Sequence, residues 1–239
     1  MALFGERQTF LGRLSPADRD ALRALGAERA FPAGGPLLRE GDGGSHVLVL
    51  LTGWSVVWVA TERGGRVILG LRTVGELVGE MAALDPHHPR SATVSAIGPV
   101  RALSVPGDRF RRFIAQRPHV AALVMAQLAD RLRGADHERL ALASLTVLRR
   151  LCGRLVELAD RTGRPAGPGA GGGPVTIRPP MAQSDLAAAI GATREAVAKA
   201  LRLLREQGLV QTGPGTLVVL EPEPLRLLAE GLEPPERAH

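Results

Sequence analysis

The spacing of apolar residues divides the chain into stretches of different texture. Residues 14–30 carry Ser15-Pro16 near their start, and Leu22 and Leu25 mark an apolar stripe behind them. Serine caps helices and proline favours their first turn, so this stretch predicts a short helix. From residue 31 to about 105, short apolar runs alternate with Gly, Pro and Asp clusters, which is typical of an antiparallel barrel or sandwich. The runs are residues 47–51, 56–60, 67–71, 93–97 and 102–105.

The helical period dominates after residue 106. It predicts a short helix over 107–116, a long helix from about Pro118, and another over about 145–160. Apolar positions along the long helix recur at alternating three- and four-residue steps, which is the seam of a two-stranded coiled coil. A helix facing the core of a monomer would show a similar stripe, so both interpretations stay open. The seam is Met125, Leu128, Leu132, Ala135, Leu142 and the off-pattern Arg139.

Glycine and proline dominate residues 163–174, which predicts a flexible loop. A phosphate-cradling loop is an alternative with little support, because no Gly-Lys-Ser/Thr follows. The last stretch, residues 221–239, is proline-rich and predicts a short helix with a frayed tail.

Residues 184–207 predict a helix, a tight turn at Gly191-Ala192, and a second helix capped by Thr193. Apolar residues at helical spacing give each helix an inward face, and residues 208–210 and 216–220 would form a two-stranded wing. The second helix carries Arg194, Glu195, Lys199 and Arg202 on its other face. Such a face suits base edges in the major groove of DNA. The alternative is a solvated helix with a Glu195–Lys199 ion pair.

The stretch from residue 75 to residue 93 combines glycines, a carboxylate and an Arg-Ser pair in an apolar region. Backbone amides near Gly79 and Met81 could approach a ligand closely, because glycine has no Cβ. Glu80 could accept from a ribose hydroxyl, and Arg90 could donate two hydrogen bonds to a phosphate. We expect a pocket for a small sugar phosphate here.

Composition narrows the class of protein. The 239 residues allow two modest domains, and the net charge of +6 permits a polyanionic partner. The single cysteine, Cys152, excludes an internal disulfide and an iron–sulfur cluster, and its apolar surroundings predict a buried side chain. No leader or membrane span is evident, so we expect a cytoplasmic protein without a membrane partner.

Together, residues 75–93 and residues 184–207 resemble the cyclic AMP receptor protein / fumarate-nitrate regulator superfamily of bacterial transcription factors. The similarity covers roughly residues 10–220, and Phe31-Pro-Ala-Gly with Glu40-Gly-Asp also resembles the start of that family's barrel. It implies an α+β fold with a cyclic-nucleotide-binding β-barrel of the jelly-roll kind, a long dimerisation helix and a winged helix-turn-helix. The implied domains are an effector domain over 1–117, the dimerisation helix over 118–143, the DNA-binding domain over 144–220 and a tail over 221–239.

The resemblance also implies roles for single residues. Gly79-Glu80 and Arg90-Ser91-Ala92-Thr93 match the family's phosphate cassette. Glu80 would take the ribose 2′-hydroxyl of cAMP or cGMP, and Arg90 with Ser91 the cyclic phosphate. Thr193-Arg194-Glu195-Ala196-Val197 matches the start of the recognition helix, whose Arg194 and Glu195 would read a palindromic, TGTGA-like site. The implied protein is a homodimer that binds double-stranded DNA and RNA polymerase and is not an enzyme.

The sequence departs from the family pattern in two respects. Ala135 and Asp136 stand where the family has a Thr-Ser pair that contacts adenine. Alanine cannot hydrogen-bond, whereas an ionised aspartate accepts and could meet guanine N1–H and its N2 amino group, or the adenine N6 amino group. Lys199 replaces a base-reading arginine, so we expect looser readout at that base pair.

Other functions also fit parts of the sequence. The chain could be an effector-independent regulator of the same fold, or a cyclic-nucleotide-binding module that acts through protein partners. His87 and His88 are also compatible with a sensor that binds haem, although a solvated turn explains these two histidines better. An enzyme has little support, because no metal-ligand cluster, nucleophile–base pair or Walker-type loop is evident, and we expect neither catalytic residues nor a bound metal.

Overall fold

A computed structural model describes residues 9–62, 64–166, 173–177, 182–213 and 216–232. The chain divides into two compact units, Met1–Ala135 and Asp136–His239, with the boundary inside one long helix. The helices and strands up to that helix are α1 (Phe10–Arg13), α2 (Pro16–Ala24), β1 (Ala27–Phe31), β2 (Pro36–Leu38), β3 (Val47–Thr52), β4 (Ser55–Ala60), β5 (Arg66–Arg72), β6 (Leu77–Val78), α3 (Glu80–Leu84), β7 (Thr93–Ala96), β8 (Val100–Val105), α4 (Gly107–Ala115) and α5 (Pro118–Ser144).

The first unit is built on two antiparallel sheets. Each has four strands, in the orders β1-β8-β3-β6 and β2-β7-β4-β5. Strand β3 is apolar on both faces for a clear reason. Leu48 and Leu50 pack into the cluster between the sheets, while Val47 and Val49 pack against the cluster formed with the helices, which includes Phe110. A strand buried on both sides needs a continuous apolar run.

The predicted helix over residues 14–30 is correct at its start and wrong at its end. Ser15 caps α2 by accepting a hydrogen bond from the backbone N–H of Asp18 at 3.1 Å. The helix ends at Ala24, and β1 follows, paired antiparallel with β8. Gly26 lies between them against the Ser104 carbonyl, where an added Cβ would come within 2.3 Å. Pairing with a strand some 70 residues away in sequence therefore overrides the local helical pattern.

The second unit continues with α6 (Val147–Thr162), β9 (Arg164–Pro165), β10 (Val175–Thr176), α7 (Gln183–Ile190), α8 (Arg194–Glu206), β11 (Val210–Gly213), β12 (Thr216–Val219) and α9 (Pro222–Glu230). Its sheet has the strand order β11-β12-β10-β9. The prediction of a loop throughout 163–174 is wrong at its first end, because β9 pairs with β10; residues 167–172 lie outside the described part of the chain. The expected tail beyond residue 232 lies outside it as well.

Helix α9 anchors the end of the second unit on α6. Leu225 is fully buried, and Arg226 holds Asp160 of α6 through two bonds, Nη1–Oδ2 at 3.1 Å and Nη2–Oδ1 at 2.5 Å. Cys152 of α6 is buried as expected, and burial raises the pKa of its thiol to about 12. Within the described residues, none of the helices combines the length and the apolar character that crossing a membrane requires. The α+β fold class predicted from the sequence is confirmed.

Candidate functional site

A buried ion pair lies at the centre of the first unit's candidate site. Glu80 opens α3, and only 2% of it is exposed. Its Oε1 accepts a hydrogen bond from Nη1 of Arg131 on α5, and Nη2 of Arg131 donates to the Leu77 carbonyl at 2.6 Å. The second carboxylate oxygen, Oε2, is buried without a hydrogen-bond partner. Buried acceptors are rarely left unpaired, so this oxygen indicates a missing donor.

Arg90 is a buried cation held by carbonyl groups. It is 4% exposed, and its Nη1 donates to the Gly79 carbonyl at 2.8 Å. Its Nη2 donates to the His46 carbonyl at 2.6 Å. Burial lowers the pKa of this guanidinium, and the charges of Glu80 and Asp42 oppose that effect. The part of the chain that the structure describes places no carboxylate in ion-pair contact with Arg90, so an anion would compensate its charge.

Gly79 serves this arrangement in a way that the sequence did not predict. Its φ of 80° is in the left-handed region, and a Cβ would lie 2.6 Å from Arg90 Nη1 and 2.9 Å from Leu38 Cδ1. From the sequence, a glycine here is expected to let a ligand approach the backbone. In this structure the group that approaches is Arg90, because the missing Cβ lets the guanidinium reach the Gly79 carbonyl.

The other predicted effector residues are exposed. The Ser91 hydroxyl lies 4.0 Å from Met81 Sδ, so the first turn of α3 and the segment after Arg90 are neighbours. Beside Arg90, a small cleft of about 120 Å³ is lined by residues of β2 and the following loop. Ala135 and Asp136 are exposed on α5, where Asp136 Oδ1 accepts from Arg139 at 3.3 Å. The structure therefore brings five predicted residues together: Gly79, Glu80, Met81, Arg90 and Ser91.

His87 and His88 lie in an exposed turn, as the simpler interpretation predicts. His88 Nδ1 is 2.7 Å from Asp85 Oδ2, and hydrogen bonding to His88 is the main cause that lowers the pKa of Asp85. Across the described ranges, no group of three or more His, Cys, Asp or Glu side chains is arranged to hold a metal ion.

The candidate DNA-reading helix is α8. Thr193 caps it by accepting a hydrogen bond from the Ala196 N–H at 3.2 Å. Val197, Leu201 and Leu204 form the buried face of the helix. Gly191, with φ 60°, ends α7 in the left-handed conformation and makes the turn between the helices. The side chains that the sequence assigned to DNA are all on the exposed side: Thr193, Arg194, Glu195, Lys199 and Arg202.

The Glu195–Lys199 ion pair, which a merely solvated helix would contain, does not form in α8. Between Glu195 and Lys199, both of which the structure describes, there is no salt bridge; the pKa of Glu195 is lowered by its own backbone N–H and by the Thr193 hydroxyl. The sequence pattern does not predict one contact between α8 and the wing. Arg205 Nη1 donates to Thr212 Oγ1 at 2.9 Å and ties the end of α8 to β11 of the wing.

Comparison with known proteins identifies the class. The model of the cyclic nucleotide-binding domain matches residues 28–117, and that of the Crp-like helix-turn-helix domain matches residues 149–228. A cyclic AMP receptor protein of Thermus thermophilus is 33% identical over 231 residues, which cover 92% of this chain and 95% of that protein. The chain belongs to the cyclic AMP receptor protein / fumarate-nitrate regulator superfamily of transcription regulators.

Further relatives of this regulator agree with that assignment. A CRP-like cAMP-activated global transcriptional regulator of Mycobacterium tuberculosis is 28% identical over 195 residues, covering 82% of this chain and 84% of that protein. The solved c-di-GMP responsive regulator CLP of Xanthomonas campestris superposes with a TM-score of 0.74 over 86% of this chain and 99% of that one. At 20% identity, that second similarity shows the fold alone.

Proposed function

We propose that this regulator is a homodimer whose affinity for DNA is controlled by a cyclic nucleotide bound beside Glu80 and Arg90. The observation that carries the proposal is the buried Glu80 carboxylate, which has one oxygen on Arg131 and the other unpaired. A ribose 2′-hydroxyl would donate to that free oxygen. The cyclic-nucleotide-binding family model that covers this segment supports the same ligand class.

The phosphate of the ligand would be taken by Arg90 and Ser91, with the backbone of Gly79 and Met81 beside it. Arg90 is desolvated already, which strengthens a charge-assisted hydrogen bond to an anion. The purine would be chosen by Ala135 and Asp136. An aspartate acceptor suits either the guanine N1–H and N2 amino groups or the adenine N6 amino group, so the proposal covers both cGMP and cAMP.

In the proposed DNA complex, Arg194 and Glu195 would read base edges, with Lys199 and Arg202 beside them on the exposed face of α8. The hydroxyl and helix start at Thr193 would lie against a phosphate. The model of a Crp-like helix-turn-helix domain over residues 149–228 supports this role, and contact with RNA polymerase is part of the same proposal. The proposed domain limits remain 1–117, 118–143, 144–220 and 221–239.

Calorimetric titration tests the ligand half of the proposal. We expect cAMP or cGMP to bind the wild-type chain, and Arg90→Gln to weaken binding at least about tenfold, since a charge-assisted hydrogen bond contributes about 1.5–3 kcal/mol. Arg112→Gln is the matched control, because Arg112 is exposed and pairs with Asp108 of its own helix at 2.9 Å. Equal binding by both variants would contradict the assignment of Arg90.

A mobility-shift assay tests the DNA half. Sites selected from random duplexes should be palindromic, and Arg194→Ala should lower affinity for them by about 1–3 kcal/mol. Arg161→Ala, on the exposed end of α6 and paired with Glu157, should leave it unchanged. Absence of DNA binding by the wild-type chain would favour a regulatory module that acts through protein partners.

One observation favours a second candidate, an effector-independent regulator. Each terminal nitrogen of Arg90 already donates one hydrogen bond within the protein, Nη1 to the Gly79 carbonyl and Nη2 to the His46 carbonyl, so the guanidinium is held in place without a ligand. Binding of selected DNA with no response to any cyclic nucleotide would establish that candidate.

A further inference from the structure

His46 occupies a position beside Arg90 that no motif of the sequence singled out. It directly precedes β3, and its ring is partly buried. Its Nδ1 lies 3.4 Å from Arg90 Nη2, the nitrogen that also donates to the His46 carbonyl. Its other ring nitrogen, Nε2, is buried and has no hydrogen-bond partner. The His46 ring therefore has one nitrogen in contact with the Arg90 guanidinium and one nitrogen that makes no hydrogen bond.

The charges around this ring are mostly positive. Arg90 is in contact, Arg29 of β1 acts from a greater distance, and Arg39 lines the same cleft. Two carboxylates oppose them: Asp42, which lines the cleft, and Glu80, and both act on Arg90. Burial first, and then Arg90 and Arg29, lower the pKa of His46, so the ring is neutral in the free protein at neutral pH.

We propose that His46 is a second phosphate-binding group of the effector site and takes up a proton when the anionic ligand binds beside Arg90. This rests on the proposed function, because it assumes that a phosphate reaches Arg90. A phosphodiester brings one negative charge into a cleft that Arg90 and His46 both line. That charge offsets the positive potential of the neighbouring arginines, so the cationic imidazole becomes more favourable and gives the site a second charged donor.

The direction of the resulting pH dependence follows from linkage. The ligand raises the pKa of His46 from a depressed value, so binding consumes a proton. Affinity should rise as the pH falls through the pKa of the complex and level off below that of the free protein. A phosphodiester does not titrate in this range, so the ligand itself contributes no pH dependence.

Calorimetry on the full chain with cAMP, cGMP and c-di-GMP as probes tests this. Measured in PIPES and in Tris at about pH 7, the wild-type chain should take up a proton on binding, and affinity should fall about tenfold from about pH 6 to about pH 8. His46→Gln should bind without proton uptake and with equal affinity at both pH values. His88→Gln is the matched control and should behave as the wild type, because His88 is exposed and pairs with Asp85.

The outcomes separate the two claims. Nucleotide binding without proton uptake, unchanged in His46→Gln, overturns the role of His46 and leaves the proposed function in place. Failure of the wild-type chain to bind any probe at either pH overturns both. If His46→Gln does not fold, NMR of imidazole nitrogens in the wild-type chain decides: the His46 ring must become doubly protonated on addition of the nucleotide, and a neutral ring overturns the proposal.

Discussion

Glu80 and Arg131 show how the candidate site depends on the balance of single charges. Only 3% of the Glu80 side chain is exposed, against 23% of the Arg131 side chain, so the carboxylate is the group that cannot return to water. Removing a buried partner leaves the other charge uncompensated, which costs more than the pair itself gains. The same reasoning separates this pair from the exposed ion pairs along α5.

Arg131→Ala should therefore destabilise the first unit strongly. We expect a loss of about 3 kcal/mol in the free energy of unfolding, at the low end for broken buried pairs because Arg131 is partly exposed. Arg133→Ala removes a pair with Asp130 in which 65% of the arginine side chain is exposed, and should cost less than about 0.5 kcal/mol. Urea unfolding followed by circular dichroism compares them, and equal losses would contradict the account of the buried pair.

At the scale of elements, α5 presents an unusual apolar surface. Met125 and Leu132 are 62% and 63% exposed, whereas Leu128 on the same stripe packs partly against the first unit's core. These positions follow the alternating three- and four-residue steps of a coiled-coil seam. Helical side chains this apolar are costly to leave in water, which supports a second copy of the chain as their partner.

Two leucines of α5 offer a controlled test of that seam. Leu132 is on it, and Leu140, which is 64% exposed, is off it. Leu132→Glu should shift the protein from dimer to monomer, because it places like charges opposite each other in the interface. Leu140→Glu should leave the dimer intact. Sedimentation equilibrium measures the oligomeric state of both variants. A dimer that survives Leu132→Glu would contradict the placement of the seam.

Elements with strong local signals were predictable from the sequence. The caps at Ser15 and Thr193, the Gly191 turn and the apolar runs of β3 and β8 each depend on neighbours in the chain. The short strands β2 and β6 depend instead on pairing with β7 and β3, so their own two or three residues carry little pattern. The β9–β10 pair was missed for the same reason, since β9 lies within residues 163–174, which read as a loop, and β10 directly follows them.

The candidate site divides in the same way. Its cassette from Gly79 to Ser91 was visible as a motif, because residue type and spacing alone define it. Arg131 and His46 were not, since each reaches the cassette through tertiary contacts over 51 and 44 positions. Neither residue belongs to a motif in the sequence, where it is one of 30 lysines and arginines or one of 6 histidines, so only the folded structure distinguishes these two from the rest.

At the scale of the whole molecule, the central claim is a free-energy coupling between two sites. A nucleotide that binds the DNA-competent and DNA-incompetent states equally well shifts nothing, however tightly it binds. The coupling must also be reciprocal, so DNA must strengthen nucleotide binding by the same factor. Glu80→Gln, which keeps the shape of the side chain and removes its charge, should weaken the response of DNA binding to nucleotide.

The most direct test is fluorescence anisotropy of a selected operator duplex, titrated with the full chain in the absence and presence of saturating nucleotide. The account predicts that the nucleotide lowers the dissociation constant for the operator at least about fivefold, within the range of ordinary allosteric coupling. It predicts no such change for a scrambled duplex. An operator affinity that stays the same while calorimetry shows the nucleotide bound would contradict the account.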